Sequence, residues 1–470
     1  MITSSQKPDE VRSERRVSQL DSGPDGSPLA DLIARYVRRH GPLSVHRFMD
    51  LALNHSRHGY YRSSQPIGAQ GDFVTAPEIS QIFGELLGVW VVAQWQSMGA
   101  PEAVRLVELG PGRGTLMADA LRVIQRQPQL VAALNAAGTG SAPASARSGV
   151  HLIEANSTLR ATQRAALQGM SEQNGGAFPV SWPSWEEATG QRGEMATIVI
   201  ANELLDVVPI HQVVARQGTW STRAVGLGAP DGLAFIDGVD AGPALPTPAE
   251  IGVQDGEVAE FRDWANEPIF SGITGLLRGP APAIGLFIDY GSFLAEMSAG
   301  ASLLSASASE RALEPGPGPG AMRIDPEAMG TRDPGDPRAD NTLRLVRADT
   351  LQAMRHHAPC GPLAAPGRSD LTAQVDFNGF AQAACAAGCL ATPAMTQAEF
   401  LARLGLVERL QALSSGARPE QRQRLEAGAA RLLAPQGMGG RFWAMAVAGP
   451  GSERLTPPFP FAQWLAEPLR

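Results

Sequence analysis

Three groups of residues have types and spacing that could do chemistry, and each stands where an apolar run ends. The first is Glu108–Leu109–Gly110–Pro111–Gly112–Arg113–Gly114, which follows Val104–Arg105–Leu106–Val107 and precedes an expected helix from Leu116 to Ile124. Glycine lets the backbone turn sharply and approach a ligand with no Cβ in the way. The helix that follows can offer free backbone N–H groups to a carboxylate. The spacing is G-x-G-x-G, whereas a dinucleotide fingerprint is G-x-G-x-x-G, and position 115 is threonine. The loop therefore suits an adenosine cofactor better than a nicotinamide dinucleotide. Lys7 is the only lysine, so a catalytic Tyr–Lys pair of the dehydrogenase kind is not available either. A glycine-rich turn with a purely structural role is the plain alternative.

The second group is Glu154, at the end of His151–Leu152–Ile153. A carboxylate there can accept from both hydroxyls of a ribose, which are donors. It lies further past Gly114 than the usual interval of roughly 20 residues, and the Ala, Gly and Ser-rich stretch at 136–149 accounts for much of the excess. The third group, Asn202–Glu203–Leu204–Leu205–Asp206, follows the apolar run Ala196 to Ala201. Glu203 and Asp206 are three apart, so a helical turn would place them on one face. Solvated acids at a helix start, favoured by the helix dipole, would look the same.

These groups need a sheet to hold them. Short apolar runs at 104–109, 151–155, 196–201 and 284–290 alternate with helical patterns, which implies α/β architecture with a mainly parallel sheet. Ligands bind beyond the carboxyl ends of such strands. Residues 28–100 read as a helical N-terminal part, with Ser44 able to cap a second helix and a third expected from Ile79 to Met98. The division expected is a disordered tail at 1–27, helices at 28–100 and a core at 101–297. A Gly, Pro and Ser-rich insertion follows at 298–340, then a helical segment and closing strands at 341–470. Residues 370–432 read as helical, and Phe442 to Val447 as a closing edge strand.

Composition limits the partners. The net charge is −8 and no long basic block occurs, which argues against nucleic acid. No apolar run is long enough for a membrane span. The near absence of lysine and the excess of alanine suit the base composition of a GC-rich bacterium. Cys360, Cys385 and Cys389 are sparse and odd in number, as in a reducing compartment such as the bacterial cytoplasm. Their spacing matches no common metal motif, so no metal is expected and they read as small packed residues.

Several further segments carry a resemblance. Gly71–Asp72–Phe73–Val74–Thr75–Ala76–Pro77–Glu78–Ile79–Ser80 and its continuation to Glu85 form one signature. Glu108 to Gly114, Asn202 to Pro209, Asp289–Tyr290–Gly291, Asp370 to Phe377 and Gly437–Met438–Gly439 follow in order. Together they resemble the MidA-like methyltransferase family, whose mitochondrial member is a protein arginine methyltransferase that assists assembly of respiratory complex I. One departure is Gln374, where the family pattern leads us to expect histidine. The resemblance implies a Rossmann-like class I methyltransferase sheet of seven strands and S-adenosylmethionine as methyl donor. It implies cofactor contacts from Glu108, Gly110, Gly112, Gly114, Glu154 and Asn202. Thr75, Pro77, Glu78 and Ser80 would form a lid or pocket wall, or simply a helix N-terminus with Thr75 as cap.

Methyl transfer from a sulfonium is an in-line displacement, so the protein's work is positioning and desolvation. An arginine acceptor calls for carboxylates to align its guanidinium, and Glu203, with Asp206 or Asp289, is the set expected to do so. The acceptor would then be a protein, a respiratory-chain subunit being one option. The oligomeric state is open, with a dimer one option. A small-molecule methyltransferase, or a non-catalytic assembly protein that keeps a cofactor pocket, stands as the alternative.

Overall fold

The computed structural model describes residues 27–62, 75–136, 148–173, 179–190, 194–228, 232–240, 245–293, 344–450 and 452. The expected tail (but for residue 27), the 298–340 insertion, positions 137–147 of the small-residue stretch and positions 71–74 of the signature lie outside them.

Helix α1 (Pro28–His40) begins after Ser27, whose hydroxyl accepts from the Ala30 amide. β1 (Leu43–Ser44) leads into α2 (Val45–Asn54), capped by Ser44 as its sequence predicts. The helix expected from 79 to 98 is interrupted. α3 (Ala76–Ile79) ends at Ser80, whose extended backbone and side chain instead cap α4 (Gln81–Ser97). Then come β2 (Val104–Leu109), β3 (Gly149–Ile153), β4 (Val180–Ser181) and β5 (Ala196–Asn202). Between them run α5 (Thr115–Ile124), α6 (Pro128–Leu134), α7 (Ser157–Gln173) and α8 (Trp185–Thr189).

The chain next leaves this sheet to form β6 (His211–Arg216), β7 (Thr219–Leu227), β8 (Leu233–Asp240) and β9 (Val258–Phe261). It returns through α9 (Pro268–Leu277) to β10 (Ala283–Ser292). The last part begins with β11 (Val346–Arg347), β12 (Gln352–Arg355), β13 (Ala358–Cys360), β14 (Asp370–Thr372) and β15 (Val375–Asp376). It continues with α10 (Phe377–Ala386), β16 (Leu390–Ala391), β17 (Met395–Thr396), α11 (Gln397–Arg403), α12 (Leu406–Ser415) and α13 (Pro419–Leu433). α14 (Met438–Arg441) and β18 (Phe442–Ala448) close it.

The main sheet has the order β16-β18-β10-β5-β2-β3-β4, with β15 and β17 paired beside this path. Strands β4, β3, β2, β5 and β10 are parallel, and β18 is antiparallel to β10. Seven strands on the path, mainly parallel, is the architecture expected. The order reverses at β2: the chain runs outward through β3 and β4, then crosses back to β5 on the other side of β2, and the crevice at such a reversal is where open α/β sheets bind ligands. β18 is not the edge strand expected. It lies between β10 and the pair β16 and β17, and Ala444 to Val447 are accordingly all buried.

A second sheet was not legible in advance. β6, β7 and β9 with β1, β8 and β11 form a six-stranded antiparallel sheet; β6 to β9 lie inside the stretch expected to be one core, while β1 comes from the N-terminal part and β11 from the last part. Its β6–β7 hairpin turns at Gln217 and Gly218, both at positive φ, which a two-residue hairpin favours. The N-terminal helices divide between two cores. Leu29, Ile33, Phe48 and Leu53 of α1 and α2 pack with Val225 on the second sheet, with Ile210 just before β6 and with Leu371 of β14. Phe83, Leu87 and Trp90 of α4 pack with Leu116 of α5 and with Leu106 and Ile198 on the main sheet. The 370–432 stretch, expected to be helical, starts with β14 and β15 and is interrupted by β16 and β17 before α11 to α13.

α4 and α5 approach closely because α4 carries glycine where they meet. A Cβ at Gly88 would stand 2.6 Å from the Ala120 carbonyl oxygen, and one at Gly84 2.6 Å from Asp119 Cβ. Gly88→Val should therefore lower stability by about 1–3 kcal/mol, the usual cost of overpacking. Urea denaturation tests this, and an unchanged midpoint and slope would contradict the packing described.

Candidate functional site

β2 and β5 end side by side, with Leu109 opposite Ala201, and a cleft opens beyond them. Gly110, Gly112 and Gly114 have φ of 65°, 53° and 82°, a left-handed region that glycine takes without strain. The loop is closed by hydrogen bonds from Gly110 N to Ile153 O (3.2 Å) and from Gly114 N to Pro111 O (2.8 Å). Gly114 then starts α5.

The cleft encloses about 420 Å³ of space, including its open mouth. Its wall holds eight of the predicted residues: Thr75, Pro77, Glu78, Glu108, Gly110, Gly112, Asn202 and Glu203. Arg113, Thr115 and Leu116 join them. Glu108 is buried at the strand end, and desolvation raises its pKa to about 8. Glu108 Oε2 and Asn202 Oδ1 are among the buried polar atoms of the described residues that have no hydrogen-bond partner. Buried polar atoms are seldom left so, and both belong to residues of the cleft wall.

Glu203 has a φ of 53°, uncommon for a residue with a side chain and characteristic of functional sites. Its Oε1 accepts from Ala76 N (3.2 Å) and from Asn202 Nδ2 (3.1 Å). Burial raises its pKa to about 7. Thr75, predicted as the cap of α3, makes no side-chain capping bond; Glu203 holds the first amide of that turn instead. Glu78 completes the latch, accepting from Thr115 Oγ1 with Arg113 Nε 4.0 Å away.

Other predicted residues lie outside the cleft wall. Ser80 is buried and occupied in capping α4. Glu154 stands just past β3, beside the glycine loop, where Oε1 accepts from Asn156 N (2.7 Å) and Oε2 from Gln163 Nε2 (3.3 Å). Burial raises its pKa, and these bonds oppose the rise. Glu203 and Asp206 do not share a helical face, because residues 203–206 form an irregular turn. Asp289 is the reason: its Oδ2 accepts from Leu204 N (3.0 Å), Leu205 N (2.8 Å) and Asp206 N (3.1 Å). Its Oδ1 accepts from Tyr290 N (2.9 Å). Burial, then the Asp206 and Glu203 carboxylates, push its pKa well up, while its backbone bonds pull the other way. Asp206 is buried as well, raised to about 6 by desolvation against the pull of Arg262. Asp289 thus shapes the turn from beneath.

Sequence reasoning missed Arg262 and Gln163. Arg262 is buried and gives its donors to the carbonyls of Val208, Gln374 and Ala373 (3.0, 2.6 and 2.9 Å), which ties β9 to two loops. Gln374, the departure from the family pattern, is exposed beside it in a second cleft of about 590 Å³. His211 is stacked between His46 and Phe261, and desolvation lowers its pKa to about 4, as suits a residue of the fold. A lone helix glutamine, or a lone arginine just past a strand, carries no spacing signal that could have revealed its role.

A sheet that reverses at β2, a glycine loop opening α5 and acids at neighbouring strand ends define a class I methyltransferase. Residues 86–324 and 337–395 match the family described as "Putative S-adenosyl-L-methionine-dependent methyltransferase", and the chain belongs to that family. It is an S-adenosylmethionine-dependent methyltransferase of the MidA-like kind that its motifs resemble. The chain is 30% identical over 421 residues to the mitochondrial protein arginine methyltransferase NDUFAF7 of Xenopus tropicalis, covering 86% of this chain and 81% of that protein. It is 28% identical over 448 residues to the NDUFAF7 homologue of Drosophila melanogaster, covering 92% and 86%. A solved COG1565 superfamily member from Burkholderia thailandensis, bound to S-adenosyl-homocysteine, shares the fold with a TM-score of 0.61 and 22% identity over 95% of both chains.

Removing the Asp289 carboxylate would leave the buried turn amides without an acceptor. Asp289→Ala should cost at least about 2 kcal/mol of stability, read from urea denaturation. A loss below about 0.5 kcal/mol, the range of an ordinary surface substitution, would contradict the role given to Asp289.

Proposed function

We propose that this methyltransferase methylates arginine in a protein partner, with Glu203 as the residue that aligns and deprotonates the acceptor. The observation that carries the reading is the likeness, over more than four fifths of both chains, to proteins named protein arginine methyltransferases. The position of Glu203 in the same cleft wall as the glycine loop supports it.

The residues present fit the cofactor. The partnerless Oε2 of buried Glu108 suits an ammonium, the glycine loop suits a close-lying ligand, and Glu154 suits a ribose diol. When bound, S-adenosylmethionine supplies a methyl group already activated on sulfur. A carboxylate oxygen takes strong, charge-assisted hydrogen bonds from a guanidinium. Both hydrogen bonds of Glu203 among the described residues use Oε1, which leaves Oε2 for the acceptor. An arginine nitrogen that gains a methyl group must release a proton. A group titrating near neutrality is suited to take it, and Glu203, with a pKa of about 7, has that property. Asp289 and Asp206 act as positioning residues that hold the Glu203 turn. Such a partner fits a bacterial cytoplasmic enzyme, and a respiratory-chain subunit is the acceptor the family resemblance suggests.

Glu203 must be ionised to accept the proton, so kcat should rise with pH and level off above about 7. Glu203→Gln should lower kcat at least about a hundredfold while leaving affinity for S-adenosylhomocysteine within about twofold; RT ln 2 is a change well inside ordinary surface effects. Turnover is measured as tritiated methyl transferred into a lysate of a strain lacking the protein. Label in an arginine of a large species is expected. Label that passes a small-pore filter would mean a small-molecule acceptor, binding without transfer would mean a non-catalytic protein, and normal turnover by the variant would remove Glu203 from the mechanism.

A further inference from the structure

Gln163 is fully buried on α7, outside the cleft wall, and three hydrogen bonds fix its amide. Trp182 Nε1 donates to Gln163 Oε1 at 2.8 Å. An indole N–H can only donate, so this bond settles which end of the amide is oxygen. Nε2 then donates to the Gly112 carbonyl at 2.7 Å and to Glu154 Oε2 at 3.3 Å. The Arg164 guanidinium lies 4.5 Å over the Trp182 ring and backs the indole. The helix itself is pressed against the loop, since a Cβ at Gly114 would lie 3.3 Å from Gln163 Cα. One side chain therefore joins the middle of the glycine loop to the acid on the neighbouring strand.

We propose that Gln163 is a positioning residue for the cofactor: it sets Glu154 against the glycine loop and thereby fixes recognition of the ribose diol. This rests on the reading that the loop and Glu154 hold S-adenosylmethionine. The backbone of Glu154 is secured separately, because Arg160 Nε donates to its carbonyl at 2.7 Å. Loss of Gln163 would thus free the carboxylate while the strand end stays in place. Glu154 Oε1 is turned to the Asn156 amide, so Gln163 is the side chain that restrains the second oxygen. A carboxylate held from both sides keeps its remaining lone pairs in one place for two hydroxyl donors.

Calorimetry with the full chain separates this role from a general effect on the fold. Two ligands are titrated, S-adenosylhomocysteine and its 2′,3′-dideoxy analogue, against the natural protein, Gln163→Met and Trp182→Phe. The natural protein should bind the hydroxylated ligand more tightly. Gln163→Met should weaken that ligand about tenfold or more, the worth of a hydrogen bond to a charged group, and the dideoxy analogue far less, so the preference shrinks. Trp182→Phe, which removes only the bond that orients the amide, should shrink it in the same direction and carries the test if Gln163→Met does not fold. An unchanged preference in the folded variants would overturn the role of Gln163 alone. No binding of S-adenosylhomocysteine by the natural protein would overturn the reading beneath it.

Discussion

A single carboxylate oxygen, Oδ2 of Asp289, accepts three consecutive backbone N–H groups from Leu204, Leu205 and Asp206. Few arrangements constrain a chain so tightly, because three buried donors without an acceptor would each carry a desolvation penalty. The consequence is a sharp exit from β5. Glu203 takes a left-handed φ of 53° beside the cleft, and the chain behind it departs for the second sheet. Arg262 braces the other end of that departure through the carbonyls of Val208, Ala373 and Gln374. A buried cation thus stands near two buried acids, and strands from both sheets meet around them.

On the opposite side of the cleft the constraint is steric. The glycine loop turns between β2 and α5 with three left-handed residues, and α5 lies against α4 at a distance only glycine permits. α3 closes over this junction, held by Glu203 at its first amide and by Glu78 at Thr115. The site is therefore built from segments far apart in sequence, fixed to one another by close packing and by hydrogen bonds to side chains.

The main sheet was legible because its strands are buried on both faces and read as largely apolar runs, β5 and the first part of β10 most plainly. The glycine loop was legible because its chemistry depends on spacing. The second sheet was not: its strands are half-buried and interleaved with polar residues, and the one local cue, Gln217–Gly218, is a weak hairpin signal. Asp206 and Asp289 were identified as site residues by their strand-end positions, but sequence cannot tell a carboxylate that faces a ligand from one that holds a turn beneath it. β18 looked like an edge strand because it comes last in the chain, whereas antiparallel insertion beside β10 places it inside the sheet.

Everything proposed for the site depends on the cleft at the glycine loop binding the cofactor with Glu108 against its ammonium. Titration calorimetry of the full chain with S-adenosylhomocysteine at pH 7, repeated in two buffers of different ionisation enthalpy, tests it directly. Glu108 has a pKa of about 8 and so carries a proton at that pH before binding. A cation beside it favours the carboxylate. Saturable binding with release of a proton is expected, and loss of that release in Glu108→Gln. No saturable heat, or heats that are the same in both buffers, would contradict it.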